Sequence, residues 1–148
     1  MVELYVKSGS TTQTKNMILA LLTEATPEKI AEVRIQTMNP ERRSLSTTLQ
    51  EKRCQLSIVL HLDAERPNGI TFASVGDVRV VTDEFAHGFT GTGPKDLLEV
   101  LRAAGITDSM LPEEIILRPQ HKPLNIYFSA RYFSYGKLRE VSPQEPNS

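Results

Sequence analysis

One stretch constrains the fold more than any other. From Cys54 to Asp63 the chain reads Cys-Gln-Leu-Ser-Ile-Val-Leu-His-Leu-Asp, apolar at every second position (Leu56, Ile58, Leu60, Leu62), with Val59 apolar on the opposite side of the pleat. Alternation with period two marks a strand, and apolar side chains on both faces near its middle mark one with neighbours on each side. A chain carrying this segment has to build a sheet around it.

The remaining segments supply partners for that strand. Residues 2–6 (Val-Glu-Leu-Tyr-Val) alternate and predict a first strand. Residues 70–74 and 78–82 predict two more, with Gly76-Asp77 as a tight turn between them, so an antiparallel meander is expected over 54–83. Residues 125–135 predict a final strand. Helical spacing occurs twice. Met17, Ile18, Leu21 and Leu22 predict a helix over 12–25, capped by the hydroxyls of residues 8–12. Leu97, Leu98, Leu101 and Ala104 predict a second over 94–104, with Gly93 as N-cap, Pro94 at the first helical position, Asp96 in the first turn and Gly105 at the C-cap.

Other parts are less regular. Thr26 and Pro27 favour a short helix over 27–32, in competition with a strand suggested by alternation over 31–36. Pro112, Pro119 and Pro123 predict mostly irregular chain over 106–124, with a short strand at 115–117. A polar arm at 36–53, rich in basic residues, is expected to be loop or loop plus the start of a strand, and the polar tail 142–148 to be disordered. Together these features predict an α+β fold: a mostly antiparallel sheet of five or six strands packed against two main helices, as a single domain over 1–141. At 148 residues one hydrophobic core suffices.

Charge and composition narrow the function. A net charge of −1 provides no global attraction to nucleic acid or anionic lipid. One cysteine, no signal-peptide pattern at the start and no long apolar run predict a cytoplasmic location and no membrane association. Cys54 opens an apolar strand without an activating neighbour, so an inert thiol is expected. No nucleophile elbow and no zinc-protease helix motif occurs. Neither a catalytic residue, a metal nor a cofactor is therefore assigned, with the balance against an enzyme. His61 and Asp63, with Asp83, Glu84 and His87, are metal-ligand types without a ligand motif, and solvated strand ends are expected there.

Three segments carry candidate binding chemistry. Between residues 115 and 139 lie Arg118, Lys122, Arg131, Lys137 and Arg139, no acidic residue, and five of the nine aromatics. On a strand Tyr127, Arg131, Phe133 and Tyr135 share a face, and tyrosine with arginine is the composition of protein-interface anchors. These four residues predict a partner-binding surface, and the leading expectation is a non-enzymatic interaction or regulatory module that binds a protein. RNA binding through the same aromatic and basic strand is an alternative. The second segment, Thr90, Gly91, Thr92, Gly93 and Lys95, is a glycine-rich approach to a helix and predicts, as another alternative, a phosphorylated-ligand or nucleotide site. In the third segment, Ser8-Gly9-Ser10-Thr11-Thr12-Gln13-Thr14-Lys15 after a strand resembles the hydroxyl-rich phosphate loop of flavodoxins. Gln13 stands where that loop has glycine, and no further βα units follow, so helix capping rather than flavin binding is expected.

Overall fold

The computed structural model describes residues 2–25, 30–38, 52–62, 76–120, 122–130 and 138–141. The long apolar strand is β3 (Lys52–Leu62), and it lies inside a six-stranded sheet. β4 (Gly76–His87) runs antiparallel along one side of it and β2 (Ile30–Thr37) along the other. β5 (Asn125–Ser129) continues the sheet beyond β2, followed by the short β6 (Arg139–Glu140). β1 (Val2–Tyr5) closes the opposite edge and is the one parallel neighbour, on β4. The order is β1-β4-β3-β2-β5-β6, a mostly antiparallel α+β arrangement.

Register explains which face is buried. Phe128, Val33, Ile58 and Val80 lie side by side across β5, β2, β3 and β4, and Ile126, Ile35, Leu56 and Thr82 form the next row. Phe128, Val33 and Ile58 are at most 1% exposed. Onto these rows pack α1 (Thr11–Ala25) through Ile18 and Leu22, and α2 (Thr92–Ala103) through Leu97, Val100 and Leu101. The short α3 (Glu113–Leu117) adds Ile116. Burying such side chains is worth about 1.5–3 kcal/mol each, which fixes the sheet's inner face.

Two bulges adjust this pattern. In β2 the register slips at Ala31, so that Ile30 and Val33, three residues apart, both face the helices. In β4 two residues, Asp83 and Glu84, stand opposite the single residue Gln55 of β3, between the pairs Leu56 with Thr82 and Cys54 with Phe85. Thr82 and Phe85 consequently both point inward, fully buried. An extra residue in a strand re-aims its neighbours, and here it frees Asp83 and Glu84 to leave the core pattern.

The helix termini follow local chemistry. Ser10 caps α1, its Oγ accepting from the Gln13 amide at 3.3 Å, so Gln13 occupies the third helical position of a Ser-x-x-Gln cap. At the other end of the fold, Gly105 adopts φ +97° after α2. Its amide donates to the Arg102 carbonyl at 3.0 Å and the Ile106 amide to the Leu101 carbonyl at 3.0 Å. That is a Schellman closure, with Ile106 and Leu101 buried together.

Several local expectations are corrected. Residues 30–32 belong to β2, not to a short helix, because the inward set Ile30, Val33 and Ile35 is satisfied only in the sheet. Gly76 and Asp77 are not a turn but the start of β4, paired with Leu62 and His61. Residues 115–117 lie in α3 rather than a strand: Pro112 precedes a turn of helix that seats Ile116 in the core. α2 begins at Thr92 with Gly91 as its cap, two residues before Pro94, which places Asp96 in the second turn. The expected strand at 70–74, the helix start at Thr26 and Pro27, most of the polar arm 36–53 and the tail 142–148 lie outside the described residues.

Candidate partner-docking face

With the helices on one side, the alternate residues of the same strands form a second surface. Tyr5, Val81, Ser57, Arg34 and Tyr127 make one row across β1, β4, β3, β2 and β5. Glu3, Arg79, Val59 and Glu32 make the adjacent row, and Gln55 with Gln36 begins a third. The rows enclose a depression of about 210 Å³ lined by strand residues alone. Its lining is not wholly polar, since Val81, which is buried, forms part of it.

The polar groups are organised around two arginines. The Arg34 guanidinium lies over the Tyr127 ring at 5.0 Å, a cation–π geometry. The Tyr127 hydroxyl donates to Glu32 Oε1 at 2.7 Å. On the far side of β3, Arg79 Nη1 reaches only to 3.8 Å from Glu3 Oε2, a carboxylate that is largely exposed. The Nε–H groups of both Arg34 and Arg79 are buried without an acceptor. At the mouth of the face, the Asp83 carboxylate that hydrogen-bonds the Tyr5 hydroxyl holds the phenol above its ordinary pKa, with burial acting in the same direction. Arg53 Nη2 donates to the Asp83 carbonyl at 2.9 Å.

Of the four partner-binding residues expected from sequence, Tyr127 is on this face, half-buried. Arg131, Phe133 and Tyr135 lie outside the described residues. Arg34, Arg79, Glu3 and Glu32 were missed because they come from three strands far apart in sequence. The local signal, a polar residue at every second position of Glu32-Val33-Arg34-Ile35-Gln36, marks a solvent face but not which residues meet there.

The other candidates resolve differently. The hydroxyl loop before α1 already surrounds an anion of its own. Glu84 Oε2 accepts from the Gly9 amide at 2.8 Å, while Oε1 accepts from the Ser8 amide at 2.8 Å and from the Thr14 hydroxyl. The Thr14 hydroxyl chiefly, then those amides, hold the Glu84 carboxyl below the usual range against the opposing effect of burial. Thr11 and Thr12 hydroxyls donate to Asp96 at 2.9 and 3.1 Å. The loop that resembles a phosphate cradle is therefore closed by carboxylates from β4 and α2.

Thr90, Gly91, Thr92, Gly93 and Lys95 are brought to the start of α2, with both threonines and Lys95 exposed. The glycines there have packing reasons: a Cβ at Gly91 would fall 2.5 Å from the Phe89 ring, and one at Gly93 3.5 Å from Ala86. His61 Nδ1 sits 2.8 Å from Asp77 at one end of the sheet, while His87 Nε2 sits 2.8 Å from Thr37 Oγ1 at the other. No group of three metal-ligand side chains occurs among the described residues. Cys54 is buried, and burial pushes its thiol up to about 12. Among the described residues no helix is long and apolar enough to cross a membrane. Comparison with protein-family models, with curated proteins and with solved structures finds no match.

Proposed function

We propose that this protein is a docking module that binds a protein partner through the face of its sheet opposite α1 and α2. The observation that supports this reading is the composition of that face: Tyr5 and two arginines line a depression, with Tyr127 stacked against one of the arginines, on strands whose other side is committed to the core. Tyrosine and arginine supply large contact area and directional donors, the character of interface anchors. The strands hold these groups rigidly, so little ordering is required on association.

The reading is tested by affinity capture with paired variants. Ser57→Trp fills the depression with a residue that strands favour. Lys95→Glu alters the glycine-rich helix start instead. A specific protein recovered by wild type and Lys95→Glu but lost with Ser57→Trp is the expected result. Recovery that is unchanged by Ser57→Trp, or lost only with Lys95→Glu, refutes it. So does recovery of RNA whose binding falls steeply with salt.

A further inference from the structure

We infer that the docking face carries a carboxylate-binding site between Arg34 and Arg79, and that its occupant is an acidic side chain in a segment of the protein partner. This rests on the docking reading above and names the partner's chemistry. The two arginines flank β3 diagonally: Arg34 is level with Ser57 on one side, and Arg79 is level with Val59 on the other. Both line the same depression, and each offers a buried Nε–H with no acceptor. A buried donor left unmade is destabilising, so neither guanidinium is fully satisfied in the unbound fold. The two acids of the lining do not supply that acceptor. Glu32 accepts from the Tyr127 hydroxyl at 2.7 Å, and Glu3 stays 3.8 Å from Arg79. Arg34 instead rests on the Tyr127 ring, which orients its fork without consuming its donors.

The same acids decide the class of anion. Two carboxylates and two guanidiniums line the depression, so its formal charge sums to zero: a single carboxylate can sit between the guanidiniums, whereas each further negative charge meets Glu3 and Glu32 with no added cation. That favours an Asp or Glu side chain over a nucleic acid or a phosphate dianion. The depression is smaller than typical small-molecule sites, and it opens from a flat sheet whose lining is mostly polar. A free carboxylic acid finds little apolar wall there, whereas a peptide adds contacts along Gln36, Gln55 and Tyr5.

The test follows the arginine Nε–H signals by 15N–1H NMR during titration with an end-blocked Gly-Glu-Gly-Glu-Gly peptide. Its Gln-for-Glu counterpart, sodium acetate and an oligothymidylate are titrated at matched ionic strength. The expected result is saturable movement of the Arg34 and Arg79 signals with the Glu peptide alone. The response should weaken roughly tenfold in Arg34→Gln and in Arg79→Gln, the loss of one partner of a charged pair. A backbone spectrum that stays dispersed shows these variants are folded. Static signals, or equal movement with the Gln peptide, overturn the inference. Acetate binding as tightly as the peptide assigns the site to small acids, and a preference for the oligothymidylate assigns it to nucleic acid; either result also overturns it. If the Glu peptide binds but Ser57→Trp leaves partner capture intact, the docking reading fails while the carboxylate site stands. If Ser57→Trp abolishes capture but the signals remain static, the reverse holds.

Discussion

The most discriminating stability experiment concerns Glu84. Its two oxygens accept from the Ser8 amide, the Gly9 amide and the Thr14 hydroxyl, and so tie the β4 bulge to the entry of α1. Glu84→Gln keeps one oxygen but turns an NH2 toward one of these donors. Flipping the amide only moves the mismatch to the other side. A charge-assisted hydrogen bond contributes about 1.5–3 kcal/mol. Glu84 is partly exposed, so the low end applies, and the expected total is about 2 kcal/mol. For a domain of this size that lowers Tm by roughly 4–8 °C at pH 7.

The sign with pH is defined. The Glu84 carboxyl is held below its ordinary value in the folded protein. Its contribution is therefore fully present above the unfolded value near 4.3 and lost as pH falls through the lower folded value. The gap between wild type and Glu84→Gln should be largest at neutral pH and shrink below about pH 4 as wild-type Glu84 protonates. Thermal unfolding followed by circular dichroism from pH 7 down to pH 3 measures both quantities. A gap that is absent at pH 7, or constant down to pH 3, would refute the assignment of Glu84 as the ionised closure of this loop.

Two further perturbations probe separate links. Gly105→Ala forces a Cβ into the left-handed region at φ +97° in otherwise open space, so backbone strain alone should cost about 1 kcal/mol and lower Tm by roughly 2–4 °C; an unchanged or higher Tm contradicts that. Cys54, with its thiol pushed up to about 12 by burial, should not react with a thiol-specific disulfide reagent at pH 8 in the native protein and should react at once in denaturant; prompt native labelling would show that β3 is not closed over.

Much of the fold was legible because local patterns carry it. Period two at Leu56, Ile58 and Leu60, with Val59 between them, identified the central strand, and the structure buries all four. The 3.6-residue spacing of Ile18 with Leu22, and of Leu97 with Leu101, identified the two helices that cover it. Ser10 and Gly105 marked helix ends because a side-chain cap and a positive φ are local requirements. Residues 113–117 misled because an Ile-Ile-Leu run suits either element, and only packing against Gly88 and the core decides for helix. The Gly88 amide donates to the Ile116 carbonyl at 2.8 Å, a contact across 28 residues.

The chain by itself therefore determined which side chains of the central strand and the two main helices are inward, and where α1 starts and α2 stops, since both depend on neighbours a few residues away. The tertiary structure alone decided that β1 pairs in parallel with β4, that a bulge aims Glu84 into the α1 loop, and that Arg34 and Arg79 flank β3 diagonally. Those outcomes depend on strand order and register. Register is chosen by the total burial of the inner rows and not by any single segment, and once it is chosen the outer face, with its two unsatisfied arginines, follows from the pleat.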